Sequence, residues 1–124
     1  MISQGIDNFL TYIREIEQLY RISVANEQEA NDMTQDILHS IELESHDYRG
    51  YAQLAKKLKE IRQTRRASKD LVMQTQVVLE WVEENRKTIK SLEQLLGEAR
   101  KVEKNMENRI YTPKTSVNEK EKKS

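Results

Sequence analysis

The sequence predicts an all-α protein in which a long antiparallel helical hairpin is joined by a shorter third helix. The expected assembly is bundle-like or coiled-coil-like and oligomeric. Three Gly and one Pro in 124 residues are too few for the turns of an all-β or α/β domain. Charged residues make up 34% of the chain and hydrophobic residues only 36%, which leaves few apolar side chains for a large hydrophobic core. One elongated helical domain fits this composition.

The first helix is predicted over residues 3–43, because apolar residues recur there at three- and four-residue steps from Ile6 to Ile41. Ser3 is the expected N-cap, since its hydroxyl can accept hydrogen bonds from the free amides of the first turn. The polar segment 44–47 ends this helix and contains Ser45, a second candidate cap.

The same periodicity predicts a second helix over residues 46–84 and a third over residues 88–110. Residues 85–88 are interpreted as the turn between them. Together, residues 1–111 form a single predicted domain. The polar and charged segment 112–124 is expected to be disordered, because it has almost nothing to bury.

Short turns favour neighbouring helices that run in opposite directions, so the third helix is expected to fold back along the second half of the second. Gly97 lies inside the third helix, where Gly costs about 1 kcal/mol relative to Ala, and therefore indicates close approach of another helix. The predicted core of the resulting three-helix end is Ile6, Phe9, Ile13, Ile16, Val72, Leu79, Val82, Leu92, Leu96 and Ala99.

The other end of the hairpin has only two helices. There Ile37, Leu54 and Leu58 could be covered on one side only, which buries too little to offset the entropy of ordering. A homo-oligomer is therefore expected. No segment has the length or apolarity of a membrane span or a signal peptide, so we expect no membrane partner and a cytosolic location.

Charge is unevenly distributed along the chain. Residues 1–48 carry ten acids and two bases, a net charge of −8, whereas residues 49–69 carry eight bases and one acid, a net charge of +7. The remaining residues contribute +1, and the sequence pI is near 6.8. This pattern does not favour a nucleic-acid partner, because proteins that bind nucleic acids normally have a high pI and an unmatched basic stripe.

In the middle of the predicted hairpin, neither helix has large apolar residues at the core positions. We call this region, residues 23–30 and 62–69, the polar waist. Counting from the turn places Glu27 opposite Arg62 and Val24 opposite Arg65, and counting from the second turn brings Arg109 to the same level. One interpretation is surface ion pairing with Glu27, Glu29 and Asp70, which is common and weak. The other is an anion site, in which guanidinium groups bind phosphate and a Tyr ring stacks on a base or sugar. The candidate ligand-binding residues are Arg62, Arg65, Arg66, Lys69, Arg109 and Tyr111.

No catalytic, metal or cofactor site is expected. The chain has no Cys, and it lacks a serine-nucleophile motif and a glycine-rich phosphate loop. His39 and His46 are expected to lie on the surface, since no second helix supplies a matching acid and His. Glu80 and Glu83 resemble only half of the carboxylate set that all-α nucleotide pyrophosphohydrolases use to bind magnesium. The chain is therefore predicted not to be an enzyme.

Four segments together resemble a group of small helical proteins that phages and prophages of Gram-positive bacteria encode. They are Gln35-Asp36-Ile37-Leu38-His39 with Ile41-Glu42-Leu43, Arg62-x-x-Arg65-Arg66-x-x-Lys69-Asp70, Leu95-Leu96-Gly97-x-x-Arg100-Lys101 and Arg109-Ile110-Tyr111-Thr112-Pro113-Lys114. This resemblance implies a phage accessory protein without an established activity. Proteins of that class commonly disable a host factor, and some oligomeric ones sequester nucleotide immune signals.

Three functions follow as hypotheses. In the first, an oligomer acts in counter-defence by sequestering a small anionic, nucleotide-type immune signal at the waist. In the second, an exposed apolar helical face binds and blocks a host protein. The third is a structural or accessory role in phage replication.

Overall fold

A computed structural model of the protein describes residues 1–109. They form three α-helices: α1 spans Ile2–Leu43, α2 spans Tyr48–Glu84 and α3 spans Arg86–Glu107. The predicted all-α fold with three helices is confirmed. No helix within this part of the chain is long and apolar enough to cross a membrane. The predicted tail 112–124 lies outside the described residues.

The helix ends are capped differently from the prediction. α1 already begins at Ile2, so Ser3 lies inside the helix and does not cap it. Its backbone amide and hydroxyl instead donate to Glu103 of α3. At the start of α2, the cap is Asp47 rather than Ser45, and its carboxylate accepts from the amide of Gly50 at 2.7 Å.

α1 and α2 contact each other at positions spread along both helices. Late in α1, the side-chain oxygen of Asn31 accepts a hydrogen bond from Arg65 Nε at 2.5 Å. Early in α1, Phe9 and Tyr12 line one depression with Val77 and Trp81 of late α2. The two helices thus lie side by side over most of their length.

The interface between α1 and α2 is narrow and closed by small side chains in its middle. Ser23 of α1 is only 2% exposed, and Ser68 and Thr75 of α2 are also buried; we call this buried strip between the two helices the seam. The Thr75 hydroxyl donates to the Leu71 carbonyl at 2.7 Å, so its burial leaves no polar group unsatisfied. Beyond this stretch, an apolar cluster closes the end near the first turn: Ala30, Ile37 and Ile61, with Ile41, Leu54 and Leu58 packed against it.

The third helix does not fold back along α2, and that prediction is wrong. Only Asn85 separates α2 from α3, and its carbonyl still accepts a helical hydrogen bond from the Ile89 amide at 3.0 Å. The chain therefore bends at Asn85 rather than reversing there. Most contacts of α3 with the other helices are with α1, and they include contacts to its first turns.

The physical reason is a single heptad stripe that continues through the bend. Residues seven apart in α2 and α3 are all buried or half-buried, which keeps the same side of both helices against α1. A reversal at Asn85 would break this stripe. Its members are Leu54, Ile61, Ser68, Thr75, Val82, Ile89, Leu96 and Glu103.

The predicted core is therefore only partly found. Ile13, Val82 and Leu96 are buried, and Leu10 joins them, but Phe9 is 39% exposed. Gly97 does not mark a close helix contact, because a Cβ placed on it would have no neighbour within 4 Å. The other residues of the predicted core, Ile6, Ile16, Val72, Leu79, Leu92 and Ala99, are half-buried.

Candidate functional site

The candidate site is the basic segment in the middle of α2. Arg62, Arg66 and Lys69 are exposed, whereas Arg65 is half-buried and hydrogen-bonded to Asn31. Steps of three and four residues keep Arg62, Arg66 and Lys69 on one face of the helix, with Arg65 toward its edge. The helix thus holds four cationic groups within about two turns.

Two open depressions flank these side chains. The first, about 640 Å³, lies on α2 alone and combines an apolar floor of Ala55 and Leu58 with basic walls; we call it the basic groove. The second, about 520 Å³, lies between α1 and α2 and shares Arg62 and Arg65 with the first. The basic groove is lined by Ala55, Leu58, Lys59, Arg62, Gln63, Arg65 and Arg66.

The ion pairs predicted for this segment are not formed. Within residues 1–109, no carboxylate lies within 4.0 Å of the cationic groups of Arg62, Arg65, Arg66 or Lys69. The expected partners Glu27, Glu29 and Asp70 are therefore not engaged. The ion pairs that the described chain does form are Glu83 with Arg86 and Asp7 with Arg100, and the His46 imidazole lies 3.5 Å from the Glu44 carboxylate.

The predicted register was wrong by about two helical turns. Arg65 hydrogen-bonds Asn31, seven residues beyond the expected Val24. The predicted register places the end of α1 directly opposite the start of α2. At this connection the Tyr51 hydroxyl donates to the Glu44 backbone carbonyl at 3.3 Å, which ties the start of α2 to the end of α1. The shifted register also separates the acidic residues of α1 from the basic residues that were their expected partners.

The structure does not bring Arg109 to the other basic residues. Glu103 is hydrogen-bonded to Ser3, whereas Arg65 is hydrogen-bonded to Asn31. Ser3 and Asn31 are 28 residues apart in one helix, which is about 42 Å. The six residues from Glu103 to Arg109 could bridge at most about 21 Å even if fully extended. The predicted convergence with Arg109 is therefore wrong, because it required α3 to fold back.

Tyr111 lies outside the described residues, so its stacking role stays a prediction. The cationic groups that the structure does place together are those of the basic groove. Lys59 belongs to this group and was not among the predicted site residues, although its spacing of three residues from Arg62 is visible in the sequence.

A polar junction that the sequence did not reveal joins the beginning of α1 to the end of α3. The Ser3 hydroxyl donates to Glu103 Oε1 at 2.6 Å, and the Ser3 amide donates to Oε2 at 2.9 Å. Arg100 adds an ion pair to Asp7 at 3.4 Å. The hydrogen bonds from Ser3 lower the pKa of Glu103 below its ordinary value, because they stabilise the ionised carboxylate. Glu103 thus replaces a local N-cap for α1.

An exposed apolar surface lies beside late α2. Its depression has a volume of about 360 Å³ and is lined by apolar side chains. Trp81 is 43% exposed, Tyr12 50% and Val77 68%, although outward-facing positions of a paired helix are normally polar. The surface, here called the Trp81 patch, consists of Phe9, Tyr12, Ile13, Val77, Val78 and Trp81.

Metal-binding geometry is not found among residues 1–109, where no three His, Asp or Glu side chains are grouped to hold an ion. His46 lies in the connection between α1 and α2. Its imidazole is 3.0 Å from the Ser40 hydroxyl and packs edge-on against Tyr51. Glu83 is paired with Arg86 at 2.7 Å, which lowers the pKa of this carboxyl group. Comparison of the chain with models of protein families, with characterised proteins and with solved structures gives no match.

Proposed function

We propose that this chain is a non-catalytic binding protein of phage type that sequesters a small anionic, nucleotide-type immune signal in the cytosol of a bacterial host. The basic groove is the proposed site. The observation that carries this proposal is that its Arg and Lys side chains are open to a ligand. No carboxylate within residues 1–109 neutralises them at ion-pair distance.

The energetics favour phosphate over solvent-exposed acids as the partner of these groups. A hydrogen bond to a charged group contributes about 1.5–3 kcal/mol, whereas an exposed ion pair contributes about 0–1 kcal/mol. Arg62, Arg65 and Arg66 each present a planar donor fork that matches phosphate. Ala55 and Leu58 provide an apolar floor on which a base or sugar can lie.

The architecture that we propose for this function is an antiparallel α1–α2 hairpin that associates as a homo-oligomer. Pairing of Asn31 with Arg65, and of Tyr12 with Trp81, supports the hairpin. The groove lies on a single helix and is open on its outer side. In the ligand-free protein, a second subunit would cover this open side.

Thermal unfolding in the presence of adenosine triphosphate, a cyclic dinucleotide or inorganic phosphate tests the site. We expect a nucleotide to raise the Tm of the unmodified protein, because a ligand that binds only the folded state stabilises it. Arg66→Ala should abolish this rise in a variant that remains folded. Arg21→Ala is the matched control, since it removes an exposed Arg of α1 outside the groove. A Tm that no tested nucleotide changes contradicts the proposal.

A second candidate function is the binding of a host protein, and the Trp81 patch favours it. Exposed aromatic residues in an apolar depression are typical anchors of protein interfaces. Native mass spectrometry of the protein purified from host lysate distinguishes the two functions. A retained protein that Trp81→Ala releases and Arg66→Ala does not would support this candidate.

Absence of catalysis is part of the proposal. The described residues provide cationic and apolar contacts, and no carboxylate faces into the basic groove from among its lining residues. Purified protein should leave nucleotides intact over hours. Turnover that is abolished when one acidic residue is replaced would contradict this view.

A further inference from the structure

Seven exposed residues of α2 recur at steps of three and four, so that they lie together on the face of the helix opposite its buried seam. We call this face the α2 strip. Its first part is basic, its middle is apolar and its last part is acidic. In chain order the residues are Arg62, Arg66, Lys69, Met73, Val77, Glu80 and Glu84.

The α2 strip is unusual for an outer helix face. Met73 is 59% exposed and Val77 is 68% exposed, where polar residues are the rule. The charges on both sides of them are also unsatisfied. Among residues 1–109, neither Glu80 nor Glu84 has a basic group within 4.0 Å, and Arg66 has no carboxylate within that distance.

We propose that the α2 strip binds the α2 strip of a second copy of this chain, with the two helices antiparallel and a two-fold axis beside Met73. In this register, residues equally far from Met73 face each other. Arg66 lies seven residues before Met73 and Glu80 seven residues after it. Arg62 and Glu84 lie eleven residues before and after it. Two Arg side chains of each copy therefore face two Glu side chains of the other.

The charge pattern selects this arrangement over the alternatives. A parallel pair of strips would place each Arg beside the same Arg of the second copy, and like charges across an interface are strongly unfavourable. An antiparallel pair centred on Val77 would set Asp70 against Glu84. With Met73 at the axis, the two Met side chains pack together, and the alkyl stem of Lys69 covers Val77. The occupant is thus a second copy, because one strip contains both complementary halves.

This inference rests on the proposed function in one respect, which is that Arg62 and Arg66 are open to negatively charged groups. In the free protein, the acidic end of the second copy occupies the same guanidinium groups that a phosphate ligand would bind. Ligand binding and dimer formation therefore compete. By linkage, a bound nucleotide shifts the equilibrium toward the monomer.

A charge-swap series measured by sedimentation equilibrium at micromolar concentration and low salt tests the pairing on the full chain. The unmodified protein is expected to have twice the chain mass of 14.7 kDa. Because the two-fold axis makes each contact occur twice, Arg66→Glu or Glu80→Arg alone should raise the dimer Kd at least about a hundredfold. The double variant should restore dimer formation, since it exchanges the two partners. Glu60→Arg is the matched control on α2, outside the strip, and should leave the dimer intact.

A monomeric unmodified protein overturns the inference, as does a folded double variant that stays monomeric while the single variants weaken a dimer. Circular dichroism establishes that every variant is folded. The outcome for the proposed function is separate, because Glu80→Arg keeps all groove residues. A monomer whose Tm rises with nucleotide retains the function and refutes the dimer. A charge-swap rescue without any effect of nucleotides retains the dimer and refutes the function.

Discussion

The α1–α2 pair and the α1–α3 attachment are held together by different forces. The first buries a seam along most of two helices, with Ile37 and Ile61 each less than one-tenth exposed. The second buries a single apolar residue of α3, Leu96, and adds the polar junction of Ser3 with Glu103. The difference teaches that a continuous stripe is not enough to bind a helix firmly, because the apolar area that the stripe buries sets the strength of the attachment.

The stability of the protein is consequently uneven. Apolar burial contributes roughly 25 cal/mol per Å², so the long seam dominates the free energy of folding. A helix that has few buried contacts opens with a lower free energy than the rest of the structure. We expect α3 to open first, by movement about Asn85, while α1 and α2 stay paired.

The largest effect is expected from Ile61→Ala. Ile61 is 7% exposed and lies in the cluster with Ala30 and Ile37. Truncation leaves a cavity in the seam and should lower the free energy of unfolding by about 2–4 kcal/mol, as measured by denaturant titration. Leu43→Ala is the control, because Leu43 is 75% exposed and should change stability very little. Equal losses from both variants would show that the seam does not dominate stability.

Leu96→Ala should act locally instead of globally. Leu96 is the buried apolar anchor of α3, at 8% exposure, and its removal should cost the attachment about 2 kcal/mol. Hydrogen exchange should then show lost protection in α3 with unchanged protection in α1 and α2. Leu95→Ala is the matched control, since Leu95 is 48% exposed. A uniform loss of protection in all three helices would mean that the molecule unfolds as one unit.

Local patterns predict the three helices correctly, whereas the predicted path of α3 is wrong. Apolar periodicity located three helices, because it is a property of each segment alone. The interpretation of residues 85–88 as a turn failed, since Asn, Arg, Lys and Thr there resemble a loop in composition. The seven-residue spacing of Val82, Ile89 and Leu96 was present in the sequence and indicates continuity through the bend.

The candidate site was predicted in part for the same reason. Arg62, Arg65, Arg66 and Lys69 share one helix, so their proximity follows from spacing alone. Placing Arg109 beside them requires a tertiary contact between α3 and the middle of α2. The turn predicted at residues 85–88 implied that contact, and it is not formed. The Ser3–Glu103 hydrogen bonds join residues one hundred positions apart, and no local sequence pattern predicts such a contact.

Glu103→Gln should weaken the attachment of α3 less than Leu96→Ala does. The folded-state pKa of Glu103 is lowered, chiefly by the hydrogen bonds from Ser3. Its contribution is therefore fully present above the unfolded-state pKa and is lost as pH falls through the lowered folded-state pKa. The protection factors of the α3 amides, which correct for the slower intrinsic exchange in acid, should fall as pH falls in the unmodified protein and should depend less on pH in Glu103→Gln. Glu107→Gln, on an exposed residue of the same helix, is the control, and an unchanged pH profile in Glu103→Gln would contradict the role of the junction.

The smallest effect, and the one that separates the two views of α3 most directly, is expected from Gly97→Ala. The sequence pattern predicts that Gly97 allows a second helix to approach, in which case an added methyl group would clash and destabilise the protein. The structure leaves the position open, with no atom within 4 Å of the Cβ site. Ala should then stabilise the protein by about 0.5–1 kcal/mol, because it restricts the unfolded backbone and favours helix. The gain should appear in α3 by hydrogen exchange and leave the α1–α2 seam unchanged. Gly5→Ala, at an equally open position in α1, is the matched control and should give a similar gain there. Destabilisation by Gly97→Ala but not by Gly5→Ala would mean that a neighbour packs against α3 in solution, and the loosely attached helix would then be part of an interface.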